Sequence, residues 1–122
     1  MKAKVLIVDD SALARRTLRQ ILEAADCDVA EAQDGLSALE RYFLEKPDIV
    51  FLDLVMRGMY GLEVLQKLRE LDSAAKVVVV SADVQTSSQE LVQQAGAKAF
   101  ITKPFDRTEI LTLLDAVLAG AG

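Results

Sequence analysis

Histidine is missing from all 122 residues. That absence removes Ser-His-Asp triads, Cys-His pairs, histidine-ligated zinc and a histidine phosphoacceptor. Any chemistry has to run on carboxylates, hydroxyls and lysines. Cysteine occurs once, at Cys27, which excludes an internal disulfide; at the start of an apolar run it reads as a small buried hydrophobe and not a reactive thiol. Positive charge is in deficit, with 14 Lys and Arg against 19 Asp and Glu and a net charge of −5. This balance works against non-specific attraction to nucleic acid phosphates and anionic membranes, so proteins are the expected partners. No apolar run approaches the roughly 18 residues of a membrane span, and the N-terminus lacks an apolar segment leading to a small-residue cleavage site. The expected location is therefore cytoplasmic, without membrane insertion. Linkers, repeats and low-complexity segments are lacking as well. A hydrophobic fraction of 52% suffices for one core without disulfide or metal staples, so residues 1–122 are expected to form one domain.

What is present is an alternation of short apolar runs with helix-length amphipathic segments. The runs are Lys4–Val8, Cys27–Ala32, Asp48–Leu52, Lys76–Val80 and Ala97–Thr102. VLIV, IVFL and VVVV are continuously apolar, the pattern of parallel strands covered on both faces, whereas CDVAEA alternates and is expected at an edge. Helices are expected over Ser11–Ala25, Asp34–Leu44, Gly61–Leu71, Thr86–Ala95 and Asp106–Leu118. Ser11 is placed as an N-cap, Gly96 as a stop, and Asp106 as an N-cap with Glu109 at capping-box spacing. The expected fold is an α/β, doubly wound (βα)5 sandwich with a five-stranded parallel sheet.

Polar residues stand at the carboxyl ends of four of these runs: Asp9 and Asp10, Asp53, Ser81, then Thr102 and Lys103. Parallel strands finish on one edge of the sheet, so topology alone brings these residues to one rim, where open α/β sheets bind ligands. Three carboxylates converging there require a cation. With oxygen ligands only, a hard ion is expected: Mg2+, with Mn2+ also admissible. Lys103 adds a mobile point charge suited to a phosphoryl oxygen, and Ser81 a hydroxyl donor. Together these groups suit phosphoryl transfer to a carboxylate nucleophile. Asp53 is the better nucleophile candidate, since Asp9 and Asp10 are paired and fit better as metal holders. Taken singly, each residue has an ordinary reading as a turn former, helix cap or solvated strand end. Their joint placement carries the functional one.

With VDDS after the first run, FLDLVM around Asp53, VSA at Ser81 and KPF after the fifth run, the whole chain resembles a response-regulator receiver domain, the CheY-like family of two-component signalling. The resemblance implies strand order 2-1-3-4-5. It also implies Asp53 as phosphoacceptor, and Mg2+ ligated by Asp10, Asp53 and the Val55 backbone carbonyl, with Asp9 acting through water. Ser81 and Lys103 would contact phosphoryl oxygens, and the bond before Pro104 would be cis. Ser81 and Phe100 match the family's switch pair. Val55 and Asp83 would flank the attacking water of dephosphorylation. Implied partners are a histidine kinase or histidine phosphotransfer protein as donor, a downstream protein target and a phosphatase. The implied state is a monomer or a weak phosphorylation-dependent dimer. Arg15, Arg16 and Arg19 give the first helix a basic face, which reads first as a solvated face, with the donor docking implied by the resemblance as the alternative. The implied activity is that of a switch whose only chemistry is self-phosphotransfer and slow autodephosphorylation. A phosphorylation-incompetent scaffold stays open as a rival. A magnesium-dependent aspartyl phosphatase fits less well, because Asp-x-Asp is absent after the first strand.

The chain departs from the family pattern after Asp53, where Met56-Arg57-Gly58-Met59-Tyr60-Gly61 replaces Met-Pro and an Asp or Asn before Gly. Gly58 is expected to restore the turn that the missing proline would have set, and Tyr60 to leave the third helix without a side-chain cap.

Overall fold

The computed structural model describes residues 2–56, 60–82 and 85–120, without the side chains of residues 86 and 87. Strands β1 (Lys4–Val8), β2 (Asp28–Ala32), β3 (Ile49–Leu52), β4 (Val77–Ser81) and β5 (Ala99–Thr102) alternate with helices α1 (Ala12–Ala24), α2 (Gly35–Glu45), α3 (Gly61–Leu71), α4 (Thr86–Gln94) and α5 (Arg107–Leu118). Every strand pairing is parallel, and the order is β2-β1-β3-β4-β5. β2 lies at an edge, as its alternating pattern predicts.

The continuous apolar runs have two cores to fill. Leu6, Val8, Val50, Leu52, Val77 and Val79 pack with Val64, Leu65 and Leu68 of α3, Ala38 of α2 and Val92 of α4. Their sequence neighbours Val5, Ile7, Ile49, Phe51, Val78 and Val80 pack with Leu18 and Leu22 of α1 and Ile110, Leu114 and Val117 of α5. Successive strand side chains point to opposite faces, so a strand buried on both sides has no polar positions to alternate. Each fully buried Leu, Ile or Val contributes about 1.5–3 kcal/mol relative to exposure. Cys27 is buried with the α1/α5 core, as a small hydrophobe.

The predicted helix caps form. Ser11 Oγ accepts from the Ala14 N–H, and Asp106 and Glu109 make a reciprocal capping box. Four strands, β2 to β5, begin one or two residues later than the apolar pattern predicts, and for β2 and β5 the reason is the same. After α1, Asp26 adopts φ 65°, its N–H donates to Glu23 O, and the Cys27 N–H donates to Leu22 O. After α4, Gly96 adopts φ 102°, its N–H donates to Gln93 O, and the Ala97 N–H donates to Val92 O. These are Schellman closures. They engage the amide protons of Cys27 and Ala97 in ending a helix, so β2 starts at Asp28 and β5 at Ala99. Gly58 and Asp83 lie outside the described residues, so the expectations placed on them find no counterpart there.

β1 sits between β2 and β3. The chain leaves β1 toward one edge and returns to its other side, and the carboxyl ends of β1 and β3 flank this reversal of strand order.

Candidate functional site

The residues at the rim are held by ladder hydrogen bonds one step beyond their own strands. The Asp9 N–H donates to Ala32 O (3.1 Å), the Asp53 N–H to Val8 O (2.9 Å) and the Lys103 N–H to Ser81 O (2.8 Å). Each bond ties one strand end to its neighbour, so the backbone of the site inherits the rigidity of the sheet. The Lys103–Pro104 peptide bond is cis.

Asp9, Asp10 and Asp53 each present a carboxylate oxygen, and these oxygens lie within 4.8 Å of one another. Asp9 and Asp53 are buried, at 6% and 7% exposure, and Asp10 is exposed. Lys103 Nζ lies 2.8 Å from Asp9 Oδ2 and 3.6 Å from Asp53 Oδ2, while Asp9 Oδ1 accepts from the Ser11 N–H at 2.9 Å. Asp53 Oδ1 faces the Val55 N–H at 3.4 Å. Burial pushes the Asp53 carboxyl above its ordinary value; the Asp9 and Asp10 charges add to that push, and Lys103 opposes it. The three carboxylates share the Lys103 ammonium, which lies against Asp9 and Asp53. An all-oxygen donor set with one solvent-facing member suits a hard divalent ion that keeps part of its water shell.

The remaining predicted residues lie on β4, β5 and the segment that follows β3. Ser81 is fully buried at the end of β4. Phe100 is half-buried on β5 and packs on the core beneath α4. The Val55 side chain is exposed. Tyr60 stands at the N-cap of α3 and provides no side-chain cap, as expected from the departure at that position. The basic face expected on α1 is narrower than the sequence suggests. Arg15 and Arg19 both pair with Glu31 of β2, and Arg19 also pairs with Glu23; of the three arginines only Arg16 is classed as exposed.

Two features were not anticipated. Gly61 opens α3 directly against the phosphoacceptor candidate: its N–H donates to Leu54 O at 2.8 Å, and a Cβ there would collide with the Asp53 carbonyl oxygen and Leu54 Cα. The sequence signal is the glycine that the family pattern has at this position, which by itself does not reveal the contact it permits. The second is Glu31, which with Asp28 is one of two charged residues of β2 and whose partners Arg19 and Arg15 lie 12 and 16 residues away.

With this geometry in hand, similarity to known proteins is extensive. The family model described as "Response regulator receiver domain" matches residues 5–115. The chain is 40% identical over 118 residues to the chemotaxis protein CheY of Thermotoga maritima, covering 96% of this chain and 98% of that protein. A CheY-like receiver domain protein from Methanospirillum hungatei superposes with a TM-score of 0.94 at 26% identity, covering 98% of this chain and 96% of the other. CheY from a CheX-CheY-BeF3-Mg2+ complex of Borrelia burgdorferi does so with a TM-score of 0.91 at 35% identity, covering 94% and 88%. Receiver domains are phosphorylation switches of two-component systems that bind Mg2+ at an acidic pocket, and the rim cluster is compatible with that use. By its family match, its relatives and its fold, the chain belongs to the response regulator receiver domain family.

Proposed function

We propose that the protein is a phosphorylation-activated switch in which Asp53 accepts a phosphoryl group from a partner histidine kinase or phosphotransfer protein. A carboxylate oxygen of Asp53 attacks phosphorus, the P–N bond of the donor phosphohistidine breaks, and the donor imidazole takes up a proton. The product is an acyl phosphate on Asp53. Asp10, Asp53 and the Val55 carbonyl would hold Mg2+ in this reading, with Asp9 contributing through water. When bound, Mg2+ offsets the negative charge that gathers on the transferred group. Lys103, already between Asp9 and Asp53, turns to a phosphoryl oxygen, and the Ser81 hydroxyl donates to another.

The observation that carries this reading is the convergence of three carboxylate oxygens within 4.8 Å of one another, beside Lys103. A burial cost of that kind is hard to sustain unless a cation and a phosphoryl group use it. The Borrelia relative is named with BeF3 and Mg2+ in complex with CheX; a phosphatase and a downstream protein are the partners proposed here, in the cytoplasm. The readout is a repacking of Ser81, Phe100 and the α4–β5–α5 surface. Val92 is the only buried residue of α4 among its described side chains, so this helix is loosely anchored and suited to shift.

Phosphate release separates a switch from an enzyme. With a small acyl phosphate and Mg2+, one phosphoryl group per chain is expected to be taken up and then lost slowly. Sustained turnover of an unactivated phosphoester would favour a phosphatase instead.

A further inference from the structure

The Asp9–Asp10 turn is gripped from outside the carboxylate cluster. Arg15 Nη1 donates to the Asp9 carbonyl oxygen at 2.7 Å, and Arg15 Nε donates to Glu31 Oε1 at 2.9 Å. The other Glu31 oxygen accepts from Arg19 Nη1, so Glu31 is held on both sides. Burial alone would raise the Glu31 carboxyl, but the hydrogen bonds from Arg19 and Arg15 hold it below its ordinary value. Glu31 belongs to β2, where it is paired in register with Ile7. The Asp9 carbonyl is the acceptor half of the peptide unit joining Asp9 to Asp10. Its orientation sets the direction in which Asp10 leaves the strand.

We propose that Arg15, seated by Glu31, is a positioning residue for the divalent-cation site: it fixes the Asp9–Asp10 peptide plane and thereby the placement of the Asp10 carboxylate. This rests on the reading of the acidic cluster as that site. Arg15 has a side chain 16% exposed, against 28% for Glu31, so the fork is partly shielded and its geometry well defined. Guanidinium suits the task because one rigid plane reaches two acceptors at once; an ammonium has no such fork. From α1 the arginine therefore acts on the backbone of the site, in place of the solvated or docking face its sequence position suggests.

The sign of the effect separates positioning from plain electrostatics. Arg15 is a cation near a proposed cation site, so by Coulomb's law alone its removal should tighten binding. Removal of a positioning group should weaken it, by about 10-fold where a supporting contact to a ligand is lost. Binding of Mn2+, read from the electron paramagnetic resonance of the free ion, is measured for wild type, Arg15→Met, Arg15→Lys, Arg16→Met and Asp10→Asn, alongside their metal-free thermal denaturation. Arg15→Met is expected to bind about 10-fold more weakly, with Arg16→Met unchanged. Arg15→Lys, which conserves charge and loses the fork, is expected to bind at least as weakly as Arg15→Met and answers the question if Arg15→Met does not fold. Unchanged or tighter binding in the Arg15 variants, with wild type binding and Asp10→Asn impaired, overturns this inference alone. A wild type that does not bind, or an Asp10→Asn that binds as well as wild type, overturns the metal site and this inference together.

Discussion

Asp53 is a buried carboxyl beside two others, and its raised pKa has a definite consequence for stability. As pH climbs through the ordinary carboxylate range near about 4, the unfolded chain loses this proton first while the folded chain retains it. Stability therefore falls between the ordinary value and the raised one, and stays reduced above it. Below both values the group contributes nothing. Without divalent cation, Asp53→Asn is expected to be more stable than wild type at pH 7 and to lose that advantage as pH drops below about 4, by urea denaturation at several pH values. An advantage independent of pH would locate it elsewhere. Gly61 makes the second residue-scale case. Gly61→Ala places a methyl group against the Asp53 carbonyl and Leu54 Cα, backbone atoms that cannot swing aside. A loss of about 1–3 kcal/mol is expected for such overpacking, together with slower phosphorylation, because the displaced backbone carries Asp53. Phosphorylation at the wild-type rate would show that the helix yields instead of the strand end.

At the scale of elements, α3 combines a firm face with a poor start. Val64, Leu65 and Leu68 are fully buried at spacings of one helical stripe, yet its N-cap, Tyr60, accepts nothing through its side chain. By contrast, Asp34, Ser11 and Asp106 all cap their helices through side-chain oxygens. Tyr60→Asp is therefore expected to stabilise the fold by about 1 kcal/mol, seen as a higher urea midpoint with unchanged slope. No gain would mean that the Tyr60 ring, though 66% exposed, already contributes comparable packing. The elements themselves were legible from sequence because strands covered on both faces leave uninterrupted runs such as VVVV, and because the caps are local. Strand starts were less legible. Whether Cys27 and Ala97 pair in the sheet or close a helix is decided by the positive φ of Asp26 and Gly96, and an aspartate does not announce that conformation as a glycine does.

For the molecule as a whole, parallel topology turned scattered residues into a site. Asp9, Asp53, Ser81 and Lys103 could be grouped from sequence because all follow strands that end on one edge. Contacts that depend on how α1 is rotated over β2 could not, so Arg15 read as part of a solvated or docking face and its hold on the Asp9 carbonyl stayed hidden. The three carboxylates make the metal-free fold a compromise. Mg2+ at a hundredfold excess over its dissociation constant is expected to raise unfolding free energy by about 2.7 kcal/mol, and Asp10→Asn to abolish most of that gain; an equal gain in both proteins would place the ion elsewhere. The central claim is narrower still: one carboxylate at this rim carries the phosphoryl group. Intact mass after incubation with a small acyl phosphate tests it most directly. Wild type with Mg2+ should gain the mass of one phosphoryl group, and both Asp53→Asn and wild type stripped of divalent cation should gain none. A wild type left unmodified, or an Asp53→Asn protein modified to the same extent, would contradict the account.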